Sequence, residues 1–245
     1  MRRIAVIVGA TTLTLAASTA SILANSGVAN AAPNAQSTYK AAIAFAGTQN
    51  VHYVSKATQG GAVLSVVGNT SKTSGTQSLT VKSSTESEKL TVNLIGKTGY
   101  LRGNADALEK ILGFTAKEGA TYDNVWLYFP IGSASLDELV SGLRNQDVAT
   151  ELKLNGPYHL GGTKTINGQS AQGIIGYTTD STGKKISTTL YVQTGSTPRP
   201  IQEVTTPSSG KTDVNGSVTF SNWGQTTHVS KPSHAVSIYT VGAAG

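Results

Sequence analysis

An α+β fold built on one large, curved antiparallel sheet is predicted by two changes of hydrophobic period along this chain. Apolar residues alternate at period two over residues 63–94, recur at helical spacing over residues 104–145, and return to period two from Leu152 onward. Self-similarity at about 20–50 residues, the mark of a solenoid or propeller, is absent. Two blocks of strands therefore flank a helical insert.

Taken in chain order, the leader comes first. Arg2 and Arg3 give a positive start, residues 4–17 are apolar apart from Gly and Thr, and Ala29-Asn30-Ala31 is an A-x-A cleavage site. The apolar run falls short of the roughly 20 residues that a membrane span needs. Residues 1–31 thus read as a signal peptide, and residues 32–245 as a single domain of a size that β-rich chains commonly reach. Ile4-Ala5 after the arginine pair favours Sec over twin-arginine export. The product is expected to be secreted, extracellular or cell-wall associated, without a stable membrane anchor.

Tyr39, Ala42, Ile43 and Ala46 then mark an amphipathic helix ending near Gly47. Leu64 and Val66, Leu79 and Val81, and Leu90, Val92 and Leu94 alternate with outward residues, and turns at 60–61, 72–75 and 83–87 separate them. This pattern predicts an antiparallel meander with one apolar face. In the insert, Leu108, Ile111 and Leu112 lie on one side of a short helix. Leu136, Leu139, Val140 and Leu143 form an i, i+3, i+4, i+7 stripe on another. Residues 126–130 read as extended and stopped by Pro130. In the second block, Asn167-Gly168 and Asn215-Gly216 are tight-turn signals, and Ile186, Thr188, Leu190 and Val192 share a strand face. Neighbouring strands joined by short turns usually pair, so one twisted sheet curling around the helices as a half-barrel is the simplest architecture. A two-sheet sandwich is the competitor, but it leaves the helices without a surface to cover.

Composition excludes several functions. The formal net charge of +6 is spread without clusters, Lys184-Lys185 being the nearest to one, so no nucleic-acid stripe exists. With no cysteine, disulfides, thiolate metal sites and thiol nucleophiles are all excluded. His52, His159, His228 and His234 form no metal-ligand motif, and no metal or cofactor is expected. G-x-S-x-G is absent. Gly96-Lys97-Thr98 and Gly210-Lys211-Thr212 lack the leading glycine and following helix of a phosphate-binding loop. Several acids have structural jobs by position: Thr115 with Glu118 and Ser135 with Glu138 fit capping boxes, and Asp106 and Glu109 suit a first helical turn. Glu86 and Glu88 fall in a Ser/Thr-rich turn region, where solvated charge is expected. Trp126 and Trp223 are expected in the core.

The run Gly99-Tyr100-Leu101-Arg102-Gly103-Asn104-Ala105-Asp106-Ala107-Leu108, then Leu112-Gly113-Phe114 and Trp126, with Asn167-Gly168 and Phe220-Ser221-Asn222-Trp223-Gly224 further on, resembles secreted proteins and lipoproteins of actinobacteria. Within it Gly103-Asn104 would end a strand and begin a helix, with Leu108 packed beneath. The layout is similar to the LppX/LprG mycobacterial lipoprotein family and, more remotely, to the Lol lipoprotein carriers. That resemblance implies a half-barrel whose open side is covered by helices, with acylated lipid held in the cavity between, and it carries over no catalytic residue. The lipoproteins bear a lipobox cysteine where this chain has Ala31-Ala32-Pro33, so their membrane tether is not implied.

The expected function is a non-enzymatic carrier or binding protein for a lipid or other apolar small molecule. The candidate cavity lining is Leu64, Val66, Leu79, Val81, Leu90, Val92 and Leu94 from the sheet and Leu136, Leu139, Val140 and Leu143 from the insert. The alternative is a filled core, where the same residues pack on each other and the surface binds a cell-envelope protein or glycan; a hydrolase would need a His and carboxylate cleft. The leader makes one expectation testable at once. N-terminal sequencing of protein recovered from the culture medium should begin at or near Ala32, without lipid modification; a product still carrying residues 4–17, or acyl-anchored in the membrane, counts against it.

Overall fold

Short turns between alternating segments make sequence neighbours into sheet neighbours, and this holds through both blocks. In the computed structural model residues 34–241 are described, apart from 60, 133, 180–182, 196 and 207–214. The expected signal peptide, residues 1–31, and the Gly210-Lys211-Thr212 triplet lie outside the described residues. The first meander comprises β1 (His52–Gln59), β2 (Ala62–Thr70), β3 (Ser74–Lys82), β4 (Ser87–Ile95) and β5 (Thr98–Gly103). The second comprises β7 (Asn155–Ile166), β8 (Gln169–Thr179), β9 (Lys185–Gln193), β10 (Arg199–Thr206) and β11 (Asn215–Ser221). Between them β6 (Leu127–Pro130) pairs with β5, and β12 (Val236–Ser237) adds a short parallel pairing on β6. Antiparallel pairing of β1 with β11 joins the meanders into one open 12-stranded sheet in the order β12-β6-β5-β4-β3-β2-β1-β11-β10-β9-β8-β7. A two-sheet sandwich does not form. Edge strand β7 carries Pro157, Lys164 and two irregularities of register, devices that blunt further strand addition.

The helices are started by local polar groups. The Asn34 side chain accepts from Gln36 N at 2.8 Å to open α1 (Ala35–Ala46), which buries Ala35, Tyr39, Ala42 and Ala46. Asn104 Oδ1 accepts from Ala107 N at 3.2 Å, opening α2 (Ala105–Lys110), and also from Lys89 N at 2.8 Å, so the same residue ties the helix start to β4. Thr115 and Glu118 form the expected capping box of α3 (Ala116–Thr121). The second expected box is not at a helix start. Ser135 lies inside α4 (Ala134–Val140), not ahead of it, and the Asp137 carboxylate reaches back to accept from Gly132 N at 2.9 Å. Glu109 sits beyond the first turn of α2, where Asp106 alone is acidic.

Other expectations are corrected by the tertiary context. The helical insert runs past residue 145 into α5 (Asn145–Glu151). Leu143 is not on the helix of Leu136, Leu139 and Val140, because Gly142, at φ +80°, ends the turn before it. Asn167-Gly168 forms the β7–β8 turn with positive φ at both residues, whereas Asn215-Gly216 is strand, paired with Thr58 and Ala57. Glu88 is not solvated: it points inward from β4 and is buried, while Glu86 pairs at the surface with Lys110. Trp126 is half-buried beneath the Arg102 guanidinium, 4.9 Å from its ring centroid.

Direct cross-strand pairing sorts the concave face into layers. One layer holds Phe220, Tyr53, Gly68, Gln77, Val92, Leu101 and Leu127, and the layer beyond holds Thr70, Gly75, Leu94, Gly99 and Phe129. This end is packed solid, with Leu94, Leu101, Leu127, Phe129 and Leu143 fully buried at about 1.5–3 kcal/mol each relative to exposure. Glycines make the room: a Cβ on Gly68 would strike the Tyr53 ring, one on Gly99 the Phe129 ring, and one on Gly75 the backbone carbonyl of Leu143. Gly75→Ala is therefore expected to destabilise the protein by about 2–3 kcal/mol in urea unfolding. Gly162→Ala on β7, where nothing lies within 4 Å of the added methyl, should change stability by less than about 0.5 kcal/mol. Equal effects would show that the Leu143 contact does not govern the packed end.

Candidate functional site

Beyond the packed layers the inward side chains become small and the helices part. Helix α1 packs on β7, β9 and β10, while α2 and α4 pack on β4. Between them in the sheet lie β11, β1, β2 and β3; on the first three the inward residues Gly216, Val218, Ser55, Ala57 and Leu64 remain partly exposed, while Val66, beside Ser55, is buried. Three of these five are Gly, Ser or Ala. This stretch of concave sheet, with small side chains and without the extensive helix packing that covers β4 and β10, is a trough, floored by Tyr53 toward the packed end. Its far wall is α4, whose Leu136 and Leu139 are partly buried and whose Leu139 carbonyl accepts from Gln77 Nε2 at 2.8 Å. Gln77 Oε1 in turn accepts from Tyr53 Oη at 2.9 Å, so one amide fixes both the floor and the wall.

The trough is acidic. Glu203 of β10 points inward opposite Val218 and Leu190, and its Oε2 is enclosed with no hydrogen-bond partner. Glu151, at the end of α5, accepts from Ser141 Oγ at 3.2 Å. Burial pushes the Glu151 carboxyl up to about 8 and the Glu203 carboxyl up to about 7; the negative fields of Asp147 and Glu203 add to the effect at Glu151 against the lowering by Ser141. Burial likewise raises the Tyr53 hydroxyl, assisted by Glu151 and Asp147, and pushes Tyr39 up to about 12. Tyr39 Oη accepts from Leu154 N at 2.7 Å, and its ring stacks on Tyr158 with centroids 4.6 Å apart, which holds α1 over β7. No cation is among the groups acting on Glu151 or Glu203.

The eleven residues predicted as lining all lie in or against a single buried cluster. Val66, Leu79, Val81, Leu90, Val92, Leu94, Val140 and Leu143 are buried, and Leu64, Leu136 and Leu139 keep accessible surface. Only the last three adjoin the trough with surface to offer. Sequence reasoning missed Ser55, Ala57, Gly216 and Glu203, because small or charged residues on a strand carry no lining signal of their own. Two further depressions lie outside the trough. One, of about 170 Å³, brings together His52 and His228, with Asn69 Oδ1 3.0 Å from His52 Nδ1. The other, of about 300 Å³, is bordered by Arg199, Gln193, Asn222 and Trp223. Neither is lined by a predicted residue. Among the described residues no three metal-ligating side chains converge, and no helix is long and apolar enough to cross a membrane.

The curved sheet with its helices is shared with known structures. LprF from Mycobacterium bovis superposes with a TM-score of 0.54 at 15% identity, over 81% of this chain and 96% of that one. An uncharacterised conserved protein from Thermus thermophilus matches at 0.44 and 11% identity, over 83% and 98%. The LolA superfamily protein NE2245 from Nitrosomonas europaea matches at 0.29 and 13%, over 81% and 96%. No family model matches the chain, and no curated protein is similar to it in sequence. The half-barrel fold implied by the resemblance read from the sequence is shown by the likeness to LprF.

The buried carboxyls make stability depend on pH with a defined sign. A folded-state value raised above the unfolded one near 4.5 means that the folded protein binds more protons, so the stabilisation is complete below about pH 4.5 and is lost as pH rises through the folded values near 7 and 8. Unfolding free energy is expected to fall by on the order of 2 kcal/mol between pH 5 and pH 8. The double change Glu151→Gln with Glu203→Gln should flatten that slope. A wild-type profile that rises over this interval, or an unaltered slope in the variant, would show that neither carboxyl is held protonated.

Proposed function

We propose that this chain is a secreted, non-enzymatic carrier for an apolar ligand, a lipid or acyl chain, bound in the trough over β11, β1 and β2, and that residues 32–245 form its single domain. The observation that carries this reading is the inward face of Gly216, Ser55 and Ala57, where small side chains coincide with the gap between α1 and α4. A core that served packing alone would place large side chains there, as the layers toward Phe129 do. The LprF-like fold supports the reading by supplying the same curved sheet.

The mechanism is burial without bond chemistry. Each methylene moved from water into the trough gains about 0.8 kcal/mol, so a partly enclosed chain binds usefully even with few polar contacts. Leu64 on one side, and Leu136 and Leu139 on the other, are the apolar contacts in reach; the deeper members of the predicted lining, Val66 among them, shape the cavity from behind. A second reading, a cell-envelope module that binds glycan or protein, is favoured by the 300 Å³ depression, where an arginine and side-chain amides border Trp223.

Two variants separate a trough from a solid interior. The wild type is expected to take up a fluorescent fatty-acyl probe and to yield lipid on organic extraction and mass spectrometry. Ala57→Leu should occupy the trough, lowering probe affinity by roughly tenfold or more while leaving thermal stability nearly the same. In a solid interior the same change would overpack and cost about 1–3 kcal/mol. Leu139→Asp should also abolish uptake. A folded wild type that neither binds probe nor carries lipid would eliminate the carrier and leave surface interaction as the better account.

A further inference from the structure

The depression of about 300 Å³ lies outside the trough, at the opposite end of β11. Gly216 adjoins the trough, whereas Ser221 and Asn222, at the other end of that strand, border the depression. Segments remote in sequence converge there: the β7–β8 turn brings Asn167 and Gln169, β9 ends on Gln193, β10 begins at Arg199 directly opposite it, and Asn222 follows β11. The floor is apolar and fixed. Ile201 and Phe220 are buried, and the half-buried Trp223 ring stacks on Phe220 with centroids 5.9 Å apart. The same ring lies T-shaped to Phe45 at 5.3 Å and donates from Nε1 to the Pro200 carbonyl at 2.8 Å.

The polar groups around this floor are not spent on the protein. Among the described residues, the side chains of Asn167, Gln169, Gln193 and Asn222 make no hydrogen bond, and Arg199 makes no ion pair. The Arg199 guanidinium is nonetheless held in place, 5.5 Å from the Phe45 ring centroid. It is the one charged group among the described lining residues, and no carboxylate is among them. A side-chain amide both donates and accepts, which matches hydroxyl groups, while a guanidinium presents paired donors that match a carboxylate. The aromatic floor suits the carbon face of a ring, and the volume falls at the lower end of the range for small-molecule pockets, about 300–1,000 Å³. A plain anion would leave the amides unused; a neutral sugar would leave the guanidinium unanswered. We infer that the depression binds an acidic sugar, its carboxylate paired with Arg199 and its hydroxyls with the amides. This site stands apart from the trough, and the inference rests on the second reading, to which it gives a ligand class.

The test titrates methyl glucuronide, methyl glucoside, sodium acetate and triglutamate separately into the isotope-labelled protein at neutral pH, with backbone amide shifts read by NMR. The glucuronide is expected to shift Gln193, Arg199 and Asn222 saturably and to bind roughly fivefold or more tightly than the glucoside, with acetate and triglutamate weaker than both. In Arg199→Gln, a change at an exposed side chain, glucuronide affinity should fall to that of the glucoside. Equal binding of the two glycosides by the wild type would overturn acid selection and leave a neutral glycan site. Acetate binding as tightly as the glucuronide would reduce the depression to an anion site, and tighter binding of triglutamate would make it a peptide site; either overturns the sugar. A preference that survives in the variant would overturn the assignment to Arg199. Shifts from none of the ligands would overturn the inference and remove the support for the second reading, while the carrier reading stands or falls on the acyl probe.

Discussion

The ladder between β1 and β11 is the constraint on which the rest of the molecule depends. It pairs Tyr53 with Phe220, Ser55 with Val218 and Ala57 with Gly216, residues about as far apart in sequence as the domain allows. Without it the two meanders would be separate sheets, each with a further exposed edge and half a core. Its register also decides which side chains face inward, because a slip of one residue turns a strand over. The same ladder is the base of the trough. Joining the halves and forming the site are one structural event.

From that join the concave face divides into two regimes. Toward Phe129 and Leu94 the glycines at 68, 75 and 99 admit an aromatic ring, a backbone carbonyl and a second ring, and the interior side chains are fully buried. Toward Ala57 and Gly216 the side chains are small and remain partly exposed. The solid end supplies stability that the open end does not, and so the fold tolerates there two carboxyls whose charged forms burial disfavours. The interactions of Gln77 with Tyr53 and with the Leu139 carbonyl sit at the boundary between the regimes and set how far α4 stands from β1.

The candidate site was less legible in the sequence than the fold, for a physical reason. Apolarity predicts that a side chain leaves water, and Leu79, Leu90, Val92 and Leu94 do so against one another and the helices. It does not say whether the neighbour will be protein or ligand. What distinguishes the trough is the absence of bulk at Ser55, Ala57 and Gly216 and the absence of a partner at Glu203, and a single chain read alone displays neither. Glu88 shows the same limit from the other side: its position in a run of Ser, Thr and Glu reads as solvated, yet the alternation of β4 turns it inward.

Local periodicity by itself determined that two strand blocks flank short helices, that one face of each strand is apolar, and that Asn104 and Thr115 begin helices, because these depend on neighbours three or four residues away at most. Tertiary structure alone decided the rest. Asn215-Gly216 became strand because β1 was there to pair with it, and Leu143 was set beyond its helix to close over Gly75. His52 was brought to His228, and Glu203 was left with an enclosed, unpartnered oxygen, by the pairing of chain segments remote in sequence. Such pairings are selected by the free energy of the whole sheet and its covering helices, and no local pattern of residues encodes that sum.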